Sequence, residues 1–487
     1  MVTFNSLNKS EFISNVIFKL ILISTLIMTV VSVFYNIRFL ITKKSLVVIL
    51  YLVVVTIFIY ILVYLINLYI QEKFYIYIVI LVSAALRFLF VIAVKTPITS
   101  DFLIMYNAAK NVVAGDISWL EQCFFTTWGY LIPYVYYEAL ILKLFGSSVS
   151  LLMLNIIFMV GTNLLIYLIA KEFTTPKAAF ISAFLYSIYP APILMSSVLT
   201  NQHISLFFLL LGIYYYLVNP TWKRIILSAV FLFLGNLMRP EGIVIFCAIV
   251  LHNFIQLKDA VKCKCVGAII KKVLILFLVY ISLYQTVNLM FKATGAAPNG
   301  IFNNCPEWKF VLGMDSNSKG FYSEENSYII SISDSSQRKK EVYNIISSSL
   351  KSCSIPSFFL SKIELLWGGF ETISWSLSHI ETSRLIGKPQ SNFTYEEAIN
   401  VILAVEKSIY ILVFIALIFT ILILWREKEK NDINFFVALI FTNYIVYLFI
   451  EIQVRYRYFI MPSFFILLSV VLKSTIEKMK GKVSESA

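Results

Sequence analysis

Long apolar runs constrain this chain more than any other feature of its sequence. Stretches of about 20 residues with few charges recur along it, and a run of that length matches the hydrocarbon thickness of a bilayer. Hydrophobic residues make up 59% of the chain and charged residues 14%, a balance that is not typical of soluble domains. The chain is therefore predicted to be an integral membrane protein with many spans.

The runs predict an all-α, polytopic membrane fold with about 12 transmembrane helices. They lie near residues 18–37, 45–70, 74–94, 148–170, 178–199, 203–218, 225–238, 243–257, 273–292, 407–425, 433–450 and 458–472. Several are shorter than the ~17 residues of a simple span, so the pairs around Asn201 and Arg239 are interpreted as hairpins or as broken, re-entrant helices. No signal-peptide cleavage site follows the first run, which is interpreted as an anchor.

Lysine and arginine predict the orientation, because short cytoplasmic loops carry an excess of both. The basic residues that fall together on one side of the runs are Lys171, Lys177, Lys223, Arg224, Lys258, Lys262, Lys264, Lys271, Lys272, Arg426, Lys428, Lys430, Lys473, Lys478, Lys480 and Lys482. This side, with both termini, is predicted to be cytoplasmic. Arg38, Lys43 and Lys44 disagree: either the first hairpin is not fully inserted, or the later charges outweigh it.

The spans divide the chain into four expected segments. These are an N-terminal hairpin (1–73), a transmembrane core (74–292) with a first external loop (95–147), an external loop domain (293–406), and the last spans with a cytoplasmic tail (407–487). The loop domain is rich in polar residues and turn signals, so a mixed α/β or α-rich structure is expected. Its Cys305 and Cys353 are either bridged or free, and Trp367 and Trp375 predict an interfacial helix.

Charge and motifs argue against several classes of function. The net charge is +13, but the lysines lie in short clusters between apolar runs and do not form the basic face of a nucleic-acid-binding protein. The sequence contains neither GxxxxGK[ST] nor HExxH, which argues against an ATP-driven pump and a zinc protease. No nucleic-acid partner is expected.

Asp101 is the first ionisable residue that needs an explanation. It follows the third run within KTPITSDFLIMYNAAK, and an ionisable group at a membrane boundary is often functional. Alternatively, Ser100 or Asp101 caps the helix that FLIMYNAAKNVVAG predicts, by accepting hydrogen bonds from its first-turn amides. The residues alone support both interpretations.

Two predicted outer turns contain arginine. Arg239 and Glu241 interrupt an apolar stretch in GNLMRPEGIVIF, where a plain hairpin turn with proline as the breaker is the alternative. Glu451, Arg455 and Arg457 precede the last run in FIEIQVRYRYFIMPSF. External arginines run against the usual charge rule, and the planar guanidinium group suits phosphate.

Together these groups match the needs of sugar transfer from a lipid phosphate. Such a reaction requires a base for the acceptor hydroxyl, cations for the departing phosphate and an apolar groove for the prenyl tail. The predicted outer loops contain a carboxylate in one loop and guanidinium groups in two others.

Six segments occur in the order of a known family. They are KTPITSDFLIMYNAAKNVVAGD, WGYLIPYVYYEALILKLFG, AFLYSIYPAPILMSSVLTNQHISLFFLLL, LMRPEG, WKFVLGMDSNSKGFYSEEN and RYRYFIMP. With them the chain resembles, over about residues 80–470, the bacterial GT-C superfamily membrane glycosyltransferases. Within that superfamily the resemblance is to enzymes related to protein O-mannosyltransferases and lipid A aminoarabinose transferases.

The resemblance implies a role for each candidate residue. Asp101 would be the catalytic general base, and a monosaccharide would be transferred with inversion from a polyprenyl phosphate. Arg239 and either Arg455 or Arg457 would bind the donor phosphate. The further candidates for substrate binding are Arg87, Tyr106, Glu138, His203 and Glu241.

Two departures from the family's pattern concern metal binding. Where many relatives have an acidic residue after the Ser-rich segment, this chain has Asn201, Gln202 and His203, and Asp101 is followed by Phe102 in place of a second acidic residue. No cofactor is therefore certain, and a divalent metal stays open but has no support from the sequence.

Three of the candidates also have ordinary explanations. His203 is expected at an exposed turn, where it is solvated or donates to an acceptor sugar. Glu138 is expected to be a solvated or snorkelling carboxylate, and Arg87 to pair with a carboxylate or reach lipid phosphates.

The expected function is glycosyl transfer at the outer face of a bacterial cell membrane; abundant Ile, Lys, Asn, Tyr and Phe suggest an AT-rich genome. The expected partners are a polyprenyl-phosphate sugar, membrane lipid, and an acceptor that is a protein, a lipid or a cell-wall polymer. One alternative is a polymerase or ligase of lipid-linked polysaccharide, whose donor carries a diphosphate. Another is a transporter, for which related halves and a polar midplane path are expected but not evident.

Overall fold

The computed structural model describes residues 4–42, 46–369, 395–426 and 431–485. Within these ranges the chain is helical and forms no β-strand, apart from an isolated antiparallel bridge between Trp128 and Asn303. The predicted all-α fold class is confirmed.

Each predicted apolar run corresponds to a helix, and the run at 178–199 corresponds to two helices separated by Tyr189. The helices are α1 (Phe4–Thr42), α2 (Leu46–Tyr69), α3 (Tyr75–Ala93), α4 (Ser100–Ala114), α5 (Cys123–Thr127), α6 (Ile132–Phe145), α7 (Ser148–Phe173), α8 (Pro176–Ile188), α9 (Pro190–Met195), α10 (Gln202–Leu217), α11 (Trp222–Met238), α12 (Gly242–Ile255), α13 (Leu257–Lys262), α14 (Val266–Ala293), α15 (Glu307–Gly313), α16 (Ser335–Lys351), α17 (Ile355–Ile363), α18 (Tyr395–Arg426), α19 (Asn434–Phe449) and α20 (Arg457–Glu485).

In the described part of the chain, six helical stretches are long and apolar enough to cross a membrane. They are Glu11–Phe39, Glu72–Ala93, Ser148–Phe173, Val266–Ala293, Val401–Arg426 and Val454–Lys478. The apolar helices α10, α12 and α19 are shorter, as the runs around Asn201 and Arg239 predict for the first two. The chain is a multi-pass membrane protein, while the predicted total of about 12 spans depends on the shorter helices and stays a prediction.

The short helices α10 and α11 form a tight antiparallel hairpin. A Cβ on Gly212 would lie 2.7 Å from Leu232 Cγ, and one on Gly235 would lie 2.6 Å from Leu209 Cγ. The hydroxyls of Ser228 and Ser205 donate to the carbonyls of Gly212 and Gly235, each at 2.8 Å. Small residues of this kind let helix backbones approach closely in a membrane.

Helix α1 packs along the bundle through a buried polar stripe. The stripe consists of Ser14, Thr25, Thr29, Ser32 and Asn36. At one end Ser14 donates to the carbonyl of Ile255 at 2.5 Å, and at the other Asn36 donates to the carbonyl of Trp367 at 2.9 Å. The N-terminal helix is therefore part of the bundle.

The connections between helices gather at two ends of the bundle. Arg239 lies 3.4 Å from Asn201 at one end, and Asp101 lies 3.8 Å from Arg455 there. At the other end His252 lies 3.0 Å from Asp432, Lys171 lies 3.9 Å from Glu72, and Lys258 pairs with Glu11. The connections sort into the two groups that the basic residues predict; which group faces outward stays a prediction.

The described parts of the loop domain are residues 293–369, whose regular elements are helices, and residues 395–406, which belong to α18. Helices α15 and α16 enclose a small core of Trp308, Val311, Leu312, Ile329 and Val342. Of the two expected structures, the α-rich one is therefore seen in this part. Cys305 and Cys353 are free thiols.

The prediction for the tryptophan pair was wrong for Trp367. Its side chain is 2% exposed and packs against Phe414, Tyr444 and Phe464 inside the bundle. Trp375 lies outside the described residues, as do the basic residues Lys43, Lys44, Lys428 and Lys430.

Candidate active site

Asp101 lies in the first turn of α4 at one end of the bundle. The N-cap of α4 is Thr99, which makes no side-chain capping hydrogen bond, and Ser100 has a left-handed φ of +54°. The Asp101 side chain is 50% exposed, and its Oδ2 lies 3.8 Å from Nη2 of Arg455. The Asp101 carboxylate thus faces a guanidinium group. The N-terminal capping of α4 that the sequence left open as an alternative is not the contact seen for it.

Gln453 fixes the orientation of the Arg455 guanidinium group. Arg455 Nε donates to Gln453 Oε1 at 2.7 Å, and the guanidinium carbon lies 5.2 Å from the centre of the Phe102 ring. The arginine side chain is 9% exposed, so its charge is largely withdrawn from water. Charge-assisted hydrogen bonds are stronger in such surroundings.

Glu451 and Lys309 extend this chain of hydrogen bonds. Gln453 Nε2 donates to Glu451 Oε1 at 2.7 Å, while Glu451 Oε2 accepts from Lys309 Nζ and, at 3.3 Å, from the hydroxyl of Tyr456. Burial raises the pKa of the Glu451 carboxyl, but Lys309 and the hydrogen bonds outweigh burial and hold the pKa below its usual value. Glu451 is therefore an anion at neutral pH.

Arg239 forms a second cationic position beside the first. Its Nε donates to Glu241 Oε1 at 3.0 Å, and its guanidinium carbon lies 5.4 Å from the centre of the Tyr456 ring. Burial lowers the pKa of Arg239, but Glu241, Tyr456 and Tyr447 together outweigh burial and leave the pKa above its usual value. A small cavity beside Arg239, with room for about one water molecule, is lined by Gln202, Ser205, Leu206, Arg239, Glu241, Tyr458 and Phe459.

The site therefore contains three cation–carboxylate pairs close together. They are Arg455 with Asp101, Arg239 with Glu241, and Lys309 with Glu451. Tyr456 links them, because its ring lies under Arg239 and its hydroxyl donates to Glu451. Such an array can hold an anionic group with its cations and accept a proton at the most exposed carboxylate, Asp101.

Arg457 does not share the position of Arg455. It is 1% exposed, and its guanidinium group donates to the carbonyls of Trp367 and Gly369 and, at 2.9 Å, to the hydroxyl of Tyr410. These contacts hold the segment 367–369 against α18. Of the two late arginines, Arg455 alone is seen beside Asp101 among the described contacts.

Two further candidates lie in surroundings other than those expected. His203 is fully buried, with Nδ1 2.7 Å from the hydroxyl of Tyr458 and Nε2 3.1 Å from the carbonyl of Met195. Glu138 is also buried, in α6, and burial raises its pKa to about 8. The expectations of an exposed histidine and a solvated carboxylate were therefore wrong.

Arg87 and Tyr106 are the remaining two substrate-binding candidates from the sequence. Arg87 is fully buried in α3, where Nη1 donates to the carbonyls of Ser83 and Ser187, each at 3.2 Å. It is therefore bonded within the bundle and does not reach lipid phosphates. Tyr106 follows Phe102 by one turn of α4, and Lys110 Nζ lies 5.2 Å from the centre of its ring.

The structure adds residues that sequence reasoning did not single out. Lys309, Gln453 and Tyr456 belong to the hydrogen-bond chain, and Tyr130 lies among the charged groups. Burial raises the pKa of Tyr130, and the charges of Lys309, Arg239, Glu451 and Asp101 all act on it. Lys309 and Tyr130 occur in the WKF and WGY segments, which gave the only sequence signal for them.

Metal binding receives no support from the described residues, in which no group of three or more His, Cys, Asp or Glu side chains is placed to hold an ion.

Residues 132–284 match the model of the dolichyl-phosphate-mannose-protein mannosyltransferase family. The chain is related to the GT-C membrane glycosyltransferases. The match extends from α6 into α14 and includes Arg239 and Glu241, whereas Asp101, Lys309 and Arg455 lie outside it. Among curated proteins, none matches this chain significantly. The match supports a membrane glycosyltransferase of the GT-C type, as the resemblance implies.

Proposed function

We propose that this glycosyltransferase moves a monosaccharide from a polyprenyl phosphate to an acceptor hydroxyl, with Asp101 as the general base. The observation that supports this most directly is the 3.8 Å approach of Asp101 Oδ2 to Arg455 Nη2. A half-exposed carboxylate and a largely buried guanidinium group are then adjacent at the end of an apolar bundle. The reaction needs a base and a cationic group that binds phosphate side by side.

The chemical step balances with these groups. Asp101 takes the proton of the acceptor hydroxyl as its oxygen attacks the anomeric carbon, and the bond from that carbon to the phosphate oxygen breaks. The donor phosphodiester has one negative charge, and the departing polyprenyl phosphate has two. Arg455 and Arg239 would bind the phosphate and stabilise the charge that develops on it. Attack from the face opposite the phosphate would invert the anomeric configuration.

The surroundings of the site suit a lipid donor. Arg239 and Glu241 follow directly on the apolar helix α11, and the apolar side chains of Leu206 and Phe459 lie beside them. A prenyl chain would remain in the apolar region while its phosphate reached the arginines. We place the site on the outer face of a bacterial membrane, with both termini in the cytoplasm, because the opposite end of the bundle holds the basic connections.

The test is transfer of radiolabelled sugar from a panel of polyprenyl-phosphate monosaccharides in membranes that contain the wild-type protein. The decisive variant is Asp101→Asn, which keeps the size of the side chain and removes the base. Asp116→Asn is the matched control, since Asp116 lies exposed at the end of the same helix and bonds only locally to Ser118.

In membranes with the wild type or Asp116→Asn, the labelled sugar should be transferred from the polyprenyl carrier. In membranes with Asp101→Asn, it should stay on the carrier. Normal turnover by Asp101→Asn would remove this residue from the mechanism. Absence of transfer from every monophosphate donor, with use of a diphosphate-linked oligosaccharide, would point to the polymerase or ligase instead.

A further inference from the structure

Lys362 is a buried lysine outside the site described above. It lies near the end of α17 in the loop domain and is 1% exposed. Its Nζ donates to the carbonyls of Gly313 at 2.5 Å, Leu448 at 2.8 Å and Ile450 at 2.9 Å. An ammonium group has three N–H donors, so these three carbonyls match its full capacity.

The three carbonyls belong to two separate helix ends. Gly313 is the last residue of α15, Leu448 lies in the last turn of α19, and Ile450 follows that helix. The final carbonyls of a helix lack partners within the helix, and a cation there is favourable. Lys362 therefore binds the C-terminal end of a loop-domain helix to the C-terminal end of a helix of the bundle.

The backbones around Lys362 are in direct contact. A Cβ on Gly313 would lie 2.4 Å from Ile450 Cα, so no larger residue fits there. Gly320 has a left-handed φ of +88°, and a Cβ on it would lie 2.7 Å from Lys362 Cε. Its carbonyl accepts a hydrogen bond from the amide of Ile452 at 2.8 Å.

These contacts lie next to the candidate active site. The amide of Glu451 donates to the carbonyl of Lys309 at 2.9 Å, and the side chains of the same two residues form an ion pair. Glu451 in turn holds Gln453, which orients Arg455. A change in how α15 meets residues 448–453 would therefore reach the guanidinium group that faces Asp101.

On the basis of the function proposed above, we propose that Lys362 is a positioning residue for the phosphate-binding side of the active site. Its ammonium group holds α15, which contains Lys309, against the segment that contains Glu451, Gln453 and Arg455. Without it, three buried carbonyls lose their hydrogen-bond donor, and the two segments separate. Lys362 itself contacts neither donor nor acceptor.

The first measurement is hydrogen–deuterium exchange of the amides of Glu451 and Ile452 in the detergent-solubilised full chain. The variants are Lys362→Met, which keeps an unbranched stem without donors, and Lys362→Gln, which keeps two donors. The control is Lys351→Met, an exposed lysine on α16. Exchange should accelerate by about tenfold or more in Lys362→Met, less in Lys362→Gln, and not in the control.

The second measurement is binding of unglycosylated polyprenyl phosphate, with Arg455→Ala as the reference. Lys362→Met should raise the dissociation constant by about tenfold, in the direction of Arg455→Ala. Where transfer is measured, the donor KM should rise more than kcat falls, and Lys362→Gln should restore part of the loss.

Unchanged exchange at Glu451 and Ile452 in Lys362→Met would overturn the positioning role. Faster exchange in Lys362→Met together with normal binding of polyprenyl phosphate would also overturn this role, provided that Arg455→Ala binds polyprenyl phosphate poorly. If Arg455→Ala also binds normally, the phosphate site proposed above is wrong, and the exchange rates alone then decide whether Lys362 orders this segment.

Discussion

The Asp101 carboxylate faces the Arg455 guanidinium group, so a donor phosphate would have to share or replace this contact. The side chains approach to 3.8 Å, and Gln453 fixes the far edge of the guanidinium group. A phosphate bound to Arg455 would take over the charge that now faces Asp101. The carboxylate would then lose its cationic neighbour and be free to face the acceptor hydroxyl. Donor binding and activation of the base would be coupled.

This competition predicts an unusual property of Asp101→Asn. The variant should be inactive in transfer yet bind polyprenyl phosphate about three- to tenfold more tightly than the wild type, because the competing carboxylate is removed. Equilibrium binding of the labelled carrier phosphate to the purified protein checks this. Weaker binding than that of the wild type would show that the two anions do not compete.

The two late arginines should give different defects. Arg455→Ala is expected to weaken donor binding with little change in thermal stability. Arg457→Ala is expected to lower the free energy of unfolding by about 3 kcal/mol, because it leaves buried carbonyls of Trp367 and Gly369 without a charged donor. Parallel measurements of thermal midpoint and donor KM separate the two. Equal effects on both quantities in both variants would contradict the assignment.

Glu138 predicts a pH dependence of stability. Its pKa is raised from 4.5 to about 8 in the folded protein, so the folded state keeps a proton that the unfolded state loses. Stability is therefore lost as the pH rises from 4.5 to about 8, by up to about 5 kcal/mol. Glu138→Gln should remove this loss and unfold at a higher temperature than the wild type at pH 8.5. The exposed Glu121→Gln is the control and should follow the wild type at every pH.

Glu451 predicts the opposite dependence at acid pH. Its folded pKa lies below the usual value of 4.5, so its contribution to stability is present above pH 4.5 and is lost as the pH falls through the lower, folded value. Glu451→Gln should be less stable than the wild type at pH 7 and approach it in acid. Thermal unfolding curves between pH 3 and pH 7 measure this difference. A constant gap between the two proteins would mean that the carboxyl is not ionised against Lys309.

The helices and the sorting of the turns could be predicted because both follow from the bilayer. An apolar run must form a helix there, and alternate runs must return to the same side. Asp101, Arg239 and Arg455 therefore fall on one side by counting alone. Their actual approach depends on packing between residues more than 100 positions apart, which periodicity does not report.

Directions of individual side chains could not be predicted. Arg455 and Arg457 are separated by one residue, yet the short 3₁₀ turn at Val454–Tyr456 turns one toward Asp101 and the other toward Trp367. In the sequence, Lys309 looks like an ordinary solvated lysine of a polar loop. Its pairing with Glu451 depends on how α15 meets α19. The burial of His203 and Glu138 could not be predicted for a related reason. Neighbouring helices cover these positions, which look like loop boundaries in the sequence.

The buried stripe of α1 has a consequence for how the protein is made. Helix α1 enters the bilayer with Ser14, Thr29 and Asn36 on one face, and the residues that cover them include Ile255, Tyr444 and Trp367. Those partners are synthesised some hundreds of residues later. Until they arrive, the polar face must be shielded by insertion factors or by lipid headgroups, so incomplete chains should be preferred substrates of membrane quality-control proteases.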